Sequence, residues 1–464
     1  MRRYIILLLF SFLFILTGCN DFTNAEKVKA PKNKLIPIKG TYRVESSDYI
    51  KDDLMGRSFV FKEDEFWDGV DRFNNITYKI KLVDMSEYLL YGYKIQNNIN
   101  KGREVEVVSV LSGGNFLYDF IKVDSENIMV IYNNKLYRLK KTNDESFNIS
   151  SWKRSIPNLK KYEQNFKDTA LYLSIRHEEE EKTVYKTYYI GVSNGEVNEI
   201  YCTNDIFLPR KSGFWRISMD DYKIKVENIS KGQEKVESRK EKIETMFINE
   251  MNKIKIDYVG NDYMALEEKQ GNVDVLKIVP VDNPMQNKGV NISDLLGQEY
   301  KSLFEDVRKK ILKDIRGTVL REDLKYENIG LMRKNGGFWI KGRVNYQTDY
   351  TTSYIDFNTG FIPPKKMVAY DNLCVQMKDI KDRVPQAIDA YTSPNKDIAV
   401  IVLPKAVEFY KIKNLRLVDK VGEIKLHNQD KIIMVEWSTG NYANLWRESF
   451  IKNNSVEVIK EGKQ

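Results

Sequence analysis

Histidine and cysteine are the scarcest chemistry-bearing residues here, with two and three copies in 464 residues. Three cysteines cannot build a disulfide scaffold, and two histidines cannot furnish a histidine-rich or multi-zinc site. Glycine (25) and proline (11) are ordinary or low, which excludes collagen-like and low-complexity chains. Charge of one sign is also in short supply, since 74 Lys plus Arg against 66 Asp plus Glu leave only +8. Spread so thinly, that surplus does not describe a nucleic-acid binder. No Gly-x-Ser-x-Gly elbow, His-Glu-x-x-His pair, phosphate loop, dinucleotide glycine pattern or calcium loop occurs. The sequence therefore points to no metal and no cofactor. What it does contain is 42% hydrophobic residues, enough for a sizeable core, and 28 tyrosines, which lean toward β-structure.

Long apolar runs are missing too, with one exception at the start. Met1-Arg2-Arg3-Tyr4 precedes an apolar stretch from Ile5 to Leu16, interrupted only by Ser11. A cationic start and a short apolar run are the layout of a secretory signal peptide. A bilayer-spanning helix needs about 20 such residues, so the stretch is short for a permanent span. Leu16-Thr17-Gly18-Cys19 then places two small residues before a thiol. This resembles the lipobox of bacterial lipoproteins. The resemblance implies that residues 1–18 are removed and that Cys19, diacylglycerylated, becomes the first residue. Two acyl chains suffice for stable attachment. Loss of Arg2 and Arg3 takes the charge from +8 to +6. The wealth of Lys, Ile and Asn is typical of AT-rich, low-GC Gram-positive genomes. Residues 19–34 read as the lipidated cysteine and a polar, lysine-containing tether.

Beyond the tether, period-two alternation dominates. Runs such as Thr77–Val83, Glu104–Val110 and Phe116–Ile121 read as half-buried strands. Residues 35–145 are expected to form a small antiparallel barrel or sandwich of about seven strands. Its opening, Pro37-Ile38-Lys39-Gly40-Thr41-Tyr42, resembles the Gly-x-aromatic start of lipocalin-type barrels. Farther on, Arg210-Lys211-Ser212-Gly213-Phe214-Trp215 is echoed by Arg333-Lys334-Asn335-Gly336-Gly337-Phe338-Trp339. Hairpin-like blocks recur at 126–139, 262–278, 397–412 and 432–441. The echo suggests two related β-rich halves, 146–292 and 293–464, with propeller-like repeats as the alternative. The expected class is thus mainly β, a β-rich α+β chain with few helices.

Three helices are expected. One runs through 294–316, capped by Ser293-Asp294 and stopped at Gly317. Its pattern and the strands after it resemble a C-terminal domain shared by some extracytoplasmic sigma-factor regulators and cell-wall deacetylases. The other two span 234–251 and 376–391, the last interrupted by Pro385.

Candidate chemistry is sparse. His177 leads into four glutamates and reads as a solvated hairpin tip, and His427 sits in a turn-like stretch. Trp215 and Trp339, at equivalent places in the echo, are a candidate aromatic binding surface, with core packing as the plainer role. Cys202 and Cys374 fall in the two halves and are a candidate disulfide, permitted outside the cytoplasm. The functional expectation is a membrane-anchored, extracytoplasmic lipoprotein that binds or scaffolds at the envelope. Its partners would be the membrane, through Cys19, and a cell-wall polymer or envelope protein. The competing class is a cell-wall hydrolase or deacetylase with an acid-based site. A solute-binding receptor is the third class, but such folds carry more helix than this pattern offers.

Overall fold

The structure is a computed structural model. It describes residues 36–47, 54–96, 102–113, 115–132, 135–142, 168–179, 182–220, 223–229 and 253–460. The signal peptide, Cys19, the tether and the expected helix at 234–251 lie outside the described residues. The chain is mainly β, and its contacts divide it into Met1–Phe147 and Asn148–Gln464. No helix among the described residues is long and apolar enough to cross a membrane.

The first unit is one curled antiparallel sheet of nine strands. Its strands are β1 (Gly40–Ser47), β2 (Ser58–Phe61), β3 (Glu65–Trp67), β4 (Arg72–Asn74) and β5 (Ile76–Asp84), then β6 (Glu104–Ser112), β7 (Asn115–Lys122), β8 (Asn127–Tyr132) and β9 (Lys135–Thr142). The spatial order β4-β3-β2-β1-β9-β8-β7-β6-β5 is two meanders joined where β1 pairs β9. Its two edge strands, β4 and β5, are separated by Asn75 alone, whose φ of 53° turns the chain sharply. Phe59, Phe61, Phe66 and Phe120 fill the interior, with ring centroids 4.8–6.2 Å apart. Edge-to-face and offset contacts of this kind add to the area they bury. The one helix among the described residues of this unit, α1 (Met85–Tyr93), has its cap written in the sequence. The Asp84 carboxylate accepts from the Glu87 amide at 2.9 Å and from Ser86 Oγ at 2.6 Å.

The second unit takes the propeller-like alternative, as five small antiparallel sheets. The first holds β10 (Thr169–Glu179), β11 (Lys182–Ser193) and β12 (Glu196–Asn204). The second is β13 (Ile206–Arg210), β14 (Gly213–Asp220) and β15 (Lys223–Asn228). The third is β16 (Ile254–Val259), β17 (Tyr263–Gln270) and β18 (Val273–Pro280). The fourth holds β19 (Thr318–Leu320), β20 (Ile329–Lys334), β21 (Gly337–Gln347) and β22 (Thr352–Phe361). The fifth holds β23 (Asp389–Thr392), β24 (Ile398–Leu403), β25 (Ala406–Lys413) and β26 (Arg416–Lys425).

The chain then returns to its beginning. Strand β27 (Lys431–Thr439) pairs with β10 from Thr439 opposite Thr169 to Lys431 opposite Arg176. A last strand, β28 (Glu457–Lys460), adds to the far edge beside β12. The closure explains why β10 is buried on both faces. Leu171, Leu173 and Ile175 pack toward Val400 and Phe409 of the fifth sheet, while Tyr172 packs with Phe207 and Ile256 of the second and third.

The Arg-to-Trp echo marks the first hairpins of the second and fourth sheets, so it counts blades and not halves. Its arginines serve like purposes. Arg210 pairs with Asp282 after the third sheet, and Arg333 pairs with Asp371 and Asp389 at the fifth. The hairpins at 262–278 and 397–412 belong to the third and fifth sheets. The block at 126–139 is the β8–β9 hairpin of the first unit and is no blade. The segment at 432–441 makes no hairpin, because β27 runs into α5 (Asn441–Asn453).

The long helix expected at 294–316 is two. The helices α2 (Ile292–Leu296) and α3 (Glu299–Leu312) break at Gly297, held at φ 120°. The cap is Asn291, which accepts from Ser293 N at 3.1 Å. The third candidate shortens to α4 (Met377–Arg383), which ends just before Pro385. A chain cut before Lys431 loses the strand that closes the ring and bares the inner edge of β10. Such a chain is expected to lose the cooperative unfolding transition of the second unit in urea. Retention of that transition would contradict ring closure.

Candidate functional site

Polar chemistry concentrates where β10, β16 and β27 come together. On β16, Ile256 pairs with Leu266 and Tyr258 with Ala265, so Asp257 is the extra residue of a β-bulge. Bulges re-aim a side chain, and this one turns a carboxylate into the interior. Asp257 is 3% exposed at its side chain and meets three cations. Arg176 Nη1 lies 2.5 Å from Oδ1, Lys431 Nζ 3.0 Å from the same oxygen, and Lys341 Nζ 3.6 Å from Oδ2. Burial alone would push this carboxyl up, but Lys431, Lys341 and Arg176 outweigh it and hold it at about 2. Lys431 feels the converse. Burial presses its ammonium below the ordinary lysine range, Asp257 opposes that fall, and Lys341 and Arg176 reinforce it. Around this centre Glu178 bridges Arg176 and Lys255, and Asp356 bridges Lys341 and Arg343.

The neighbouring register position gathers both histidines. His177 follows Arg176 on β10, and Asp430 precedes Lys431 on β27. His177 Nδ1 is hydrogen-bonded to Asp430 Oδ1, while Asp430 Oδ2 accepts from the His427 amide at 2.8 Å. The two imidazole rings lie 5.0 Å apart. His177 is therefore no solvated tip, and the turn of His427 is the other wall of the same cluster. The carboxylate orients one imidazole and ties down the turn that carries the other. Among the described residues, no group of three or more His, Cys, Asp or Glu is arranged to hold a metal.

Farther along β27, the half-buried Glu436 acts on Tyr258. Burial pushes its carboxyl up to about 8, and its charge helps to raise the Tyr258 hydroxyl. Tyr258 donates to the Met367 carbonyl at 2.9 Å and meets the Phe338 ring edge-on at 5.1 Å. Arg333 lies 4.7 Å from the Phe338 ring and 3.6 Å from that of Tyr391, so the guanidinium fills the space between these rings.

The tryptophans do not form a common surface. Trp339 is 2% exposed, and its side chain is core. Trp215 is half-buried, with Arg210 5.1 Å from its ring and its Nε1 donating to Ser212 Oγ. Alternation along each strand decides this, because Phe and Trp take opposite faces and both faces are covered in the ring. The candidate disulfide is not formed: Cys202, buried on β12, and Cys374, half-buried before α4, are both free. Burial raises both thiols. No protein-family model matches the chain, and no curated protein matches it.

The raised Glu436 carboxyl fixes the sign of one pH response. Because the fold favours the protonated form, its contribution is full below pH 4.5 and is lost as pH rises toward 8. The slope is about 1.4 kcal/mol per pH unit across that window. Glu436→Gln is expected to flatten the dependence and to raise the melting temperature at about pH 8 relative to wild type. Parallel pH profiles for the two proteins would refute the assignment.

Proposed function

We propose that the chain is a lipid-anchored extracytoplasmic binding module. Cys19 holds it at the outer face of the cell membrane, and the β-rich body engages an envelope component. The observation that carries this reading is Leu16-Thr17-Gly18-Cys19 after a short apolar run. A tether of about 15 residues reaches roughly 50 Å when extended, enough to hold a folded body clear of the headgroups. The propeller-like ring is compatible with a binding role, since its short sheets leave turns and loops on both rims. Fold alone does not assign function, and the anchor gives the location.

A cell-wall hydrolase or deacetylase with an acid-based site is the second reading. Its support is Glu436, a carboxyl whose burial keeps it protonated near neutral pH, as a general acid requires.

Replacing Cys19 by Ala is expected to abolish incorporation of a palmitate analogue and to move the protein out of the washed membrane fraction. Labelling or membrane retention equal to wild type would refute the anchor. Glu436→Gln separates the two classes: the binding module keeps its envelope retention, and an acid-dependent enzyme loses turnover of purified wall.

A further inference from the structure

Among the described residues, the ion pairs around Asp257 hold more cations than carboxylates. Arg176, Lys255, Lys341, Arg343 and Lys431 share four carboxylates: Asp257, Glu178, Asp356 and Glu267. Arg343 is satisfied by Asp356 and Glu267, and Arg176 by Asp257 and Glu178. Among the described residues, Lys431 pairs with Asp257 alone, a carboxylate divided among three cations. The surplus charge therefore lies at Lys431. Its side chain is 41% exposed, while Lys341 and Arg176 behind it are 12% and 9% exposed. Arg176 Nε, moreover, is buried with no hydrogen-bond partner.

Uncompensated charge is costly when buried, and the cation left over here is the one that reaches solvent. An open-ended cluster of two lysines and an arginine is what an oxyanion needs. Lys431 pairs with Asp257 and is 41% exposed, and Lys341 and Arg176 share the same carboxylate behind it.

We propose that Arg176, Lys341 and Lys431 form a binding site for a phosphate group, with Lys431 as the residue that contacts it and Asp257 as the built-in competitor that holds the cations in place. The proposal deepens the binding-module reading by naming the ligand chemistry. Phosphate monoesters, phosphodiesters and the free ion share that chemistry.

The test is isothermal titration of the full mature chain in detergent with inorganic phosphate, dimethyl phosphate and acetate, at constant ionic strength. Wild type is expected to bind phosphate saturably, and more tightly than acetate. Lys431→Gln is expected to weaken binding by about tenfold or more, while Lys431→Arg retains it. Asp257→Asn removes the competitor and is expected to tighten binding by about tenfold. If Asp257→Asn does not fold, the half-exposed Lys431 position still decides the matter. The relative strength of dimethyl phosphate distinguishes a diester source from a monoester or free ion. No saturable phosphate binding, tighter acetate than phosphate, an unchanged Lys431→Gln, or weaker binding in a folded Asp257→Asn would each overturn the site. A chain that stays lipidated and envelope-bound but ignores phosphate loses this site and keeps the anchor. A chain that binds phosphate but is never lipidated loses the anchor and keeps the site.

Discussion

The second unit depends on the pairing of its last long strand with its first. A ring of small sheets has no single large core, so each sheet is stable only if both faces are covered by neighbours. Strand β27 supplies the missing inner neighbour of β10 across eight paired positions. That pairing removes an open edge from the middle of the unit and lets Leu171, Leu173 and Tyr172 find partners on opposite sides. The charges that converge on Asp257 from Arg176 and Lys431 hang on the same junction.

The junction also explains where the chemistry lies. Two ladder irregularities sit beside each other, one between Ser174 and Ile175 against β27 and one at Asp257. Together they rotate ionisable side chains inward at one end of the strand pair. On one side of the pair Arg176 and Lys431 converge on Asp257, and at the next register position His177 and His427 converge on Asp430. Deep charges are tolerated here because each is met by an opposite charge, and the single surplus falls on the residue with the most solvent. The first unit handles a buried carboxylate differently. Asp119 accepts from the hydroxyls of Tyr88, Tyr93 and Ser109 and so is held by neutral donors.

Local features were readable from the sequence, and distant ones were not. Alternation in Thr77–Val83 or Glu104–Val110 announces strands because every second residue faces the interior. The Arg-to-Trp echo is visible because equivalent hairpins reuse one turn and one arginine staple. Nothing local shows that the echo belongs to five sheets, since the second and fourth carry it while the third and fifth do not. The helix α1 was legible in Asp84 and Glu87 but masked by the strand pattern before it. The break at Gly297 hides in a continuous apolar stripe, because a stripe records faces and not backbone direction. The site was the least legible part. His177 and His427 are 250 residues apart and meet only through the closing strand. Asp257 is one acid in an apolar run, and the bulge that makes it central has no residue signature of its own.

Amide hydrogen exchange on the intact protein tests the closing pair most directly. If β27 closes the ring, amides of Met434 and Val435 exchange as slowly as those of Leu173 on β10 and Val400 on β24, and all share one opening free energy. Rapid exchange of β27 while β24 stays protected would contradict the account, because the ring would then be standing without its closing strand.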